Sequence, residues 1–192
     1  MSKPGEDPLA KVRPSRRNEQ ALGRRIAVIG CGGAGKTTLA LELGARLKLP
    51  VHHLDRLYWG PGWTPVPRDE FIRLEKQIRA LPEWILDGNY GSTMASRLEA
   101  ADTILFLDLP TGTCLWGAVR RYFRYLGRSR PDMTDGNTES IDFEYLTYIL
   151  TFRRLRRPGI RDRLARLPAS KSVVVLTSRN QVRSFLDQAS SR

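Results

Sequence analysis

Gly30-Cys31-Gly32-Gly33-Ala34-Gly35-Lys36-Thr37 fits Gly-x-x-x-x-Gly-Lys-Thr, a loop that turns its main-chain amides toward a chain of phosphates. Its flanks have the order that such a loop needs. Before it, Arg25-Ile26-Ala27-Val28-Ile29 is a short, nearly unbroken apolar run, the pattern of a strand buried on both faces. After it, Leu39, Leu43 and Leu47 recur at helical spacing in a segment without proline. Glycines that lack Cβ can adopt positive φ and point successive N–H groups at one anion, and the helix start adds further unpaired amides. Within the motif, Lys36 is expected to reach the β- and γ-phosphates and Thr37 to ligate Mg²⁺. Thr38, one residue on, is expected to donate to the α-phosphate, so Gly30 to Thr38 form the candidate nucleotide site.

The 192 residues suffice for one domain with a sizeable core, and 41% of them are hydrophobic. No apolar run approaches the ~18 to 20 residues needed to span a bilayer. Residues 1–22 are rich in Pro, Ser, Lys and Arg without a signal-type apolar stretch, and read as a disordered basic tail ahead of a domain from 23 to 192. Two cysteines make no disulfide framework, and neither they nor His52-His53 show zinc-ligand spacing. A reducing cytoplasm is the expected compartment.

Net charge is +12, and the excess is concentrated. Between Arg120 and Arg166 lie twelve arginines and no lysine, against six acidic residues. Arginine suits bidentate phosphate contacts. The cluster therefore fits the lid of a kinase, a polynucleotide backbone, or an ordinary solvated face. Arg120, Arg124 and Arg128 at i, i+4 spacing are the first candidates to neutralise a moving phosphoryl group, with Arg153, Arg154, Arg156 and Arg157 as a second cluster.

Apolar runs at Val51–Leu54, Trp84–Leu86, Thr103–Leu109 and Ser172–Leu176 alternate with helical patterns. Together with the run before the loop they predict a doubly wound α/β fold, a five-stranded parallel sheet between helix layers. Ser92 or Thr93 could cap a helix through Leu98, and Ser178 with Gln181 forms a capping box for the last helix. In such sheets ligands bind beyond the carboxyl ends of the strands, which singles out Asp55, Asp87 and Asp108. Asp87 is the candidate to orient Mg²⁺, and Asp55 the candidate to hold the acceptor hydroxyl and take its proton. Asp108, flanked by Leu107 and Leu109, is less favoured.

Asp87-Gly88 after an apolar strand, Ala101-Asp102-Thr103-Ile104-Leu105-Phe106-Leu107-Asp108-Leu109-Pro110 and Arg120-Arg121 resemble adenylate kinase and its small-molecule kinase relatives. Further stretches are similar to the bacterial adenylate-kinase-related proteins often labelled DNA topology modulation proteins. They are His53-Leu54-Asp55-Arg56-Leu57-Tyr58-Trp59, Pro61-Gly62-Trp63, Trp84-Ile85-Leu86-Asp87-Gly88-Asn89-Tyr90, Arg97-Leu98, Cys114-Leu115-Trp116 and Arg130-Pro131-Asp132-Met133. The resemblance runs from Arg25 to Leu186. It implies an ATP-binding P-loop kinase fold, an acceptor region at about 52–98, a mobile arginine-rich lid at about 114–166, and Arg179 beside the adenine and ribose.

One departure bears on the acceptor. Adenylate kinases follow Asp-Gly with Phe-Pro-Arg, whose arginine grips the acceptor phosphate, whereas Asn89 and Tyr90 stand here. Arg56 or Arg97 would have to take over that grip. Asn89 and Tyr90 themselves suit a neutral hydroxyl-bearing acceptor such as a nucleoside, and Trp59 and Trp63 could stack on a base. The expected activity is transfer of the γ-phosphate of ATP to a small-molecule hydroxyl. The alternatives are a nucleotide-gated DNA- or RNA-binding regulator and an ATPase without an acceptor.

Overall fold

The computed structural model describes residues 22–127, 133–134, 137–138 and 143–190. Residues 1–21 of the expected tail and Arg128, with Arg130, Pro131 and Asp132, lie outside the described residues. The apolar run before the loop forms β1 (Arg25–Gly30), in which Ile26 to Ile29 are wholly buried. It is the central strand of a five-stranded, all-parallel sheet. The other strands are β2 (Val51–His53), β3 (Trp84–Asp87), β4 (Thr103–Leu107) and β5 (Ser172–Leu176), in the order β2-β3-β1-β4-β5. Chain connections leave β1 toward β2 on one side and reach β4 on the other. The carboxyl end of β1 is therefore a topological switch point, where an open sheet leaves a crevice.

Helices α1 (Lys36–Leu47), α2 (Leu54–Tyr58), α3 (Arg68–Arg79), α4 (Gly91–Ala100), α5 (Thr111–Tyr125), α6 (Phe143–Leu155), α7 (Arg157–Ala165) and α8 (Arg179–Ser190) complete the described fold. Leu39 and Leu43 of α1 are buried as their spacing predicts, and α1 packs on β1, β2 and β3 and against α8. The register matters for chemistry: Val28 on β1 and His53 on β2 both pair with Asp87 on β3.

Three local expectations are corrected. The second strand stops at His53, and Leu54, buried beneath the turn at Gly88, begins a helix, so Asp55 lies in its first turn. The fourth strand ends at Leu107, two residues early, and Asp108 follows it. No side chain caps α4; the Thr93 hydroxyl instead accepts from Arg97 at 2.8 Å. The final helix does have its predicted cap. Ser178 Oγ accepts from the Gln181 amide at 3.2 Å, and the Gln181 side chain reaches back to the Thr177 amide at 2.7 Å.

Arg25 and Asp102 tie the start of β1 to the turn before β4 through a guanidinium–carboxylate contact of 2.6 Å and a bond from the Arg25 amide. The Arg25 hydrogen bonds hold the Asp102 carboxyl below its ordinary value, against a smaller effect of burial. A depressed carboxyl stabilises the fold above its unfolded pKa, near ~3.9. That contribution disappears as pH falls through the lower folded value. With both side chains over a third exposed, solvent screening limits the pair to about 0.5–1 kcal/mol. Asp102→Asn is expected to lower stability by that amount between pH 5 and 8 in urea titrations, with the difference from the parent closing below about pH 4.

Candidate active site

The loop leaves β1 and enters α1 with the helix start bare. Gly35, left-handed at φ 92°, is the N-cap and offers no side-chain cap, and no acidic residue lies in the first turn. The amides of the loop thus keep their positive field for an anion. Lys36 Nζ donates to the Cys31 carbonyl at 3.1 Å, spanning the loop. Thr38, beside Thr37, is exposed. Arg179 approaches from the start of α8 and donates to the carbonyls of Ala34 at 3.0 Å and Gly33 at 3.3 Å, holding the outer side of the loop.

Asn89 has a different place from the one expected of an acceptor ligand. Its Oδ1 accepts from the Gly30 amide at 3.0 Å, and its Nδ2 donates to the Gly30 carbonyl and to the Tyr148 hydroxyl, both at 2.7 Å. Both amide hydrogens are therefore used. The side chain clamps the first glycine of the loop to the end of β3 and reaches α6 through Tyr148.

Beside the loop, Thr37 Oγ1 donates to Asp87 Oδ2 at 2.8 Å, and His53 Nδ1 lies 3.1 Å from the same oxygen. Asp87 is only 5% exposed, and its Oδ1 is buried without a hydrogen-bond partner. An orphaned carboxylate oxygen costs about 1–3 kcal/mol, more when charged, unless a ligand completes it. Burial would lower the Lys36 ammonium, but the Asp87 charge, with Tyr148, Tyr145 and Asp55, outweighs it and raises the pKa. The lysine is thus a fixed cation beside an incomplete anion. Hydroxyl and carboxylate oxygens are the donors Mg²⁺ prefers, and it is characteristically held by one or two carboxylates plus substrate phosphates. No cluster of three or more His, Cys, Asp or Glu able to hold a metal occurs among the described residues. This donor set fits a Mg²⁺ shared with phosphate.

On the other side of β3, the Tyr90 hydroxyl donates to Asp55 Oδ1 at 2.8 Å. Burial, then the Asp55 charge, pushes that hydroxyl well above its ordinary pKa, so it remains a donor. The Tyr90 ring packs with Tyr58 and Phe71 at centroid distances of 4.9 Å. These three rings, with Val66, Ser92 and Arg68, line an open cavity of about 310 Å³. Arg68 has no carboxylate partner among the described residues, and no sequence motif singled it out. Trp59 meets Tyr58 and Trp63 edge-on. The Trp63 amide and the Gly60 carbonyl are both held by the buried side chain of Asn137, from the segment expected to form a lid. Arg56 is exposed, with its carbonyl turned to Thr134.

Arg97, expected as an acceptor ligand, is wholly buried behind the site. It donates to the carbonyls of Gly88 at 3.0 Å and Asn89 at 2.7 Å and lies 3.8 Å from buried Glu75. It holds the Asp87–Tyr90 turn from below. Tyr90 sits there at φ 20°, a conformation that persists only when its surroundings over-determine it.

The lid arginines are sorted by helical phase. Cys114 and Ala118 are buried on the α5 face turned to the loop, and Arg121 continues that face one turn on. The Arg121 guanidinium lies 5.2 Å over the Tyr145 ring, and Tyr145 Oη is 2.7 Å from where a Cβ on Gly32 would sit. Arg120 and Arg124 are exposed, Arg124 lying over Tyr125. The sequence signal for Arg121 was the small-residue stripe Cys114, Gly117, Ala118, which i, i+4 counting from Arg120 passed over. In the second cluster, Arg156 covers Tyr148, whereas Arg157 and, one turn on, Arg161 both bind buried Asp108.

No protein-family model and no curated protein sequence matches the chain. Among solved structures it is similar to shikimate kinase from Acinetobacter baumannii in complex with shikimate (TM-score 0.53, 17% identity, 88% of this chain and 91% of that one). It also aligns with a gluconokinase from Sinorhizobium meliloti 1021 (0.48, 15%, 90% and 92%). A third is deoxyadenosine kinase from M. mycoides with dCMP and dCDP bound (0.46, 15%, 87% and 99%). The five-stranded parallel sheet, the phosphate loop and the first of these alignments together define the fold as that of the P-loop kinases.

Asn89→Ala is expected to weaken binding of a fluorescent ATP analogue about tenfold, the worth of one or two hydrogen bonds. Arg97→Ala leaves the Gly88 and Asn89 carbonyls without their donor, while Arg79 still binds Glu75 at 2.7 Å, and is expected to cost about 2–4 kcal/mol in chemical denaturation. Arg97→Lys should recover only part of that, because an ammonium lacks the guanidinium's planar fork.

Proposed function

We propose that the protein is an ATP- and Mg²⁺-dependent kinase that phosphorylates a hydroxyl of a small ring compound. The observation that carries this reading is the unpartnered, buried Asp87 Oδ1 beside Thr37 and Lys36 at the mouth of a bare helix start. In it, residues 30–38 hold the triphosphate. Thr37 and Asp87 would hold Mg²⁺, which would supply charge neutralisation for the phosphates. Lys36 exchanges the Cys31 carbonyl for phosphate oxygen. Asp55 orients the acceptor hydroxyl and takes its proton on the oxygen that Tyr90 leaves open. Arg121, stacked on Tyr145 above the loop, balances charge on the transferred group, with Arg120 and Arg124 outside the closed site. Burial of the chemistry beneath α5 and α6 excludes water, which would otherwise compete as acceptor.

The aromatic walls at Tyr58, Phe71 and Tyr90 suit a flat ring. Arg68 at the rim adds a cation with no carboxylate partner among the described residues, which favours a ring that carries a carboxylate or phosphate over the neutral acceptor that Asn89 and Tyr90 suggested. Transfer from γ-labelled ATP to a panel of ring hydroxy acids, nucleosides and nucleotides tests the reading. Lys36→Ala should abolish phosphoryl transfer, and Asp55→Asn should lower kcat by roughly 10²–10⁴-fold with little change in triphosphate affinity. Transfer that survives Lys36→Ala, or no product from any acceptor, counts against it.

A second reading, a nucleotide-gated nucleic-acid-binding regulator, has one observation in its favour. Trp116 and Phe123, 68% and 69% exposed, share the outer side of α5 with Arg120 and Arg124, a mixture of stacking and cationic side chains. It requires an affinity for single-stranded oligonucleotides that falls steeply with salt and drops in the double variant Trp116→Ala, Phe123→Ala.

A further inference from the structure

Helix α6 brings two tyrosines to the mouth of the phosphate loop, and Tyr148 keeps a hydrogen-bond donor in reserve there. Asn89 fixes the count. Its Oδ1 accepts from the Gly30 amide at 3.0 Å, and its Nδ2 donates to the Gly30 carbonyl at 2.7 Å. Turning the amide over would set oxygen against oxygen and N–H against N–H, so the main chain of Gly30 dictates its orientation. The second Nδ2 hydrogen goes to Tyr148 Oη, also at 2.7 Å. Tyr148 is the acceptor in that bond, and its own hydroxyl hydrogen meets no acceptor among the described residues. Burial, opposed by Lys36, raises the Tyr148 pKa, so the hydroxyl retains that hydrogen.

The hydroxyl also lies at the end of the loop where a terminal phosphate belongs. Tyr145, one turn earlier on α6, stacks on Tyr148 with centroids 6.3 Å apart and planes within 17°. Its Oη is 2.7 Å from where a Cβ on Gly32 would sit. The pair therefore reaches Gly30 through Asn89 and Gly32 directly. Between those two glycines is Cys31, whose carbonyl holds Lys36 Nζ at 3.1 Å. Lys36 is the residue expected at the β- and γ-phosphates, so a phosphate that displaces this carbonyl arrives beside the α6 tyrosines. Asn89, which carries Tyr148, adjoins Tyr90, and Tyr90 bonds to Asp55 on the acceptor side. The phosphate facing that side is the terminal one, because it is the one that must meet an acceptor.

We propose that Tyr148 is a further residue of the triphosphate site, whose hydroxyl donates to an oxygen of the terminal phosphate and so distinguishes a triphosphate from a diphosphate. The inference rests on the reading of residues 30–38 as the triphosphate loop, but not on transfer to any acceptor. In the bound state Tyr148 Oη still accepts from Asn89 and gives its own hydrogen to the phosphate. Asn89, already fastened to Gly30, thereby aims the donor. A hydrogen bond to a charged oxygen is stronger than one between neutral groups. Once the terminal phosphoryl group has left, the donor has no partner, and this bond contributes nothing to holding the diphosphate. Helix α6 is tied to the loop more firmly around a triphosphate than around a diphosphate.

Calorimetry of the full-length protein with Mg²⁺ and either ADP or the non-hydrolysable triphosphate AMPPNP tests this. Binding of AMPPNP to the parent protein establishes the loop reading separately, and binding of neither ligand overturns that reading together with the proposal. Tyr148→Phe keeps the ring against Phe152 and Arg156 and removes only the hydroxyl. It should weaken AMPPNP about tenfold more than ADP, the worth of one hydrogen bond to a charged group. The bond from Asn89 is lost with both ligands, so its effect cancels in the ratio. Equal weakening of the two ligands means that the hydroxyl serves only to hold Asn89, and unchanged affinity for both means that it serves neither. Each of these results overturns the proposal. Should the variant not fold, the parent protein decides the matter by amide hydrogen exchange. Exchange across residues 143–155 should slow severalfold more with AMPPNP than with ADP, and equal protection by the two overturns the proposal.

Discussion

Backbone-to-backbone contact between the phosphate loop and α5 is the constraint on which the site depends. Gly33 sits at φ 70°, and a methyl group there would lie 2.1 Å from the Cys114 carbonyl oxygen; one on Gly117 would lie 2.1 Å from the Gly33 carbonyl oxygen. Two glycines, one on each element, let the surfaces meet without side chains between them. Sheet order makes the contact possible, since β4 lies beside β1 and delivers α5 next to the loop. Once α5 is seated, its helical phase is fixed. Arg121 then turns inward, and Arg120 and Arg124 turn to solvent.

Several charges are buried around this core, and their hydrogen bonding separates scaffold from chemistry. Asp108 is buried at the end of β4, but Arg157 engages both of its oxygens and Arg161 one of them. The cluster is satisfied and fastens α7 to the sheet. Arg97 and Glu75 form a second interior pair, whose task is to hold two carbonyls of a turn. Asp87 differs from Asp108, because one oxygen is shared by Thr37 and His53 and the other has no hydrogen-bond partner. Asp87 ends β3 and Asp108 directly follows β4, whereas Asp55 lies in the first turn of α2. Only the accounting of lone pairs tells the metal candidate from the structural acid.

The fold was largely legible from the sequence because its signals are local. An apolar run, a glycine loop with Lys-Thr in register and a leucine stripe lie next to each other in the chain, and each specifies its own geometry. The strand at Trp84–Leu86 and the cap at Ser178 were readable for the same reason. Misplaced residues were those whose partners are remote in sequence. Asn89 finds Gly30 at a separation of 59 residues and Tyr148 at the same distance on the other side. Nothing at Asn89 itself announces a clamp rather than a ligand. The second strand failed locally, since Leu54 continues the apolar pattern but is buried by helix α2 rather than by strand pairing.

The turn after Asp87 is supported from several sides. Arg97 enters from α4, beneath the turn, and takes the Gly88 and Asn89 carbonyls. From above, Asn89 locks onto Gly30, and the Tyr90 hydroxyl reaches Asp55. Three independent attachments fix a four-residue turn, which is what allows Tyr90 to remain at φ 20°. An arginine spent on carbonyls in the interior cannot also meet a ligand in the crevice. A cation at the crevice is found instead on the opposite wall, where α3 carries Arg68 at the rim of the aromatic cavity.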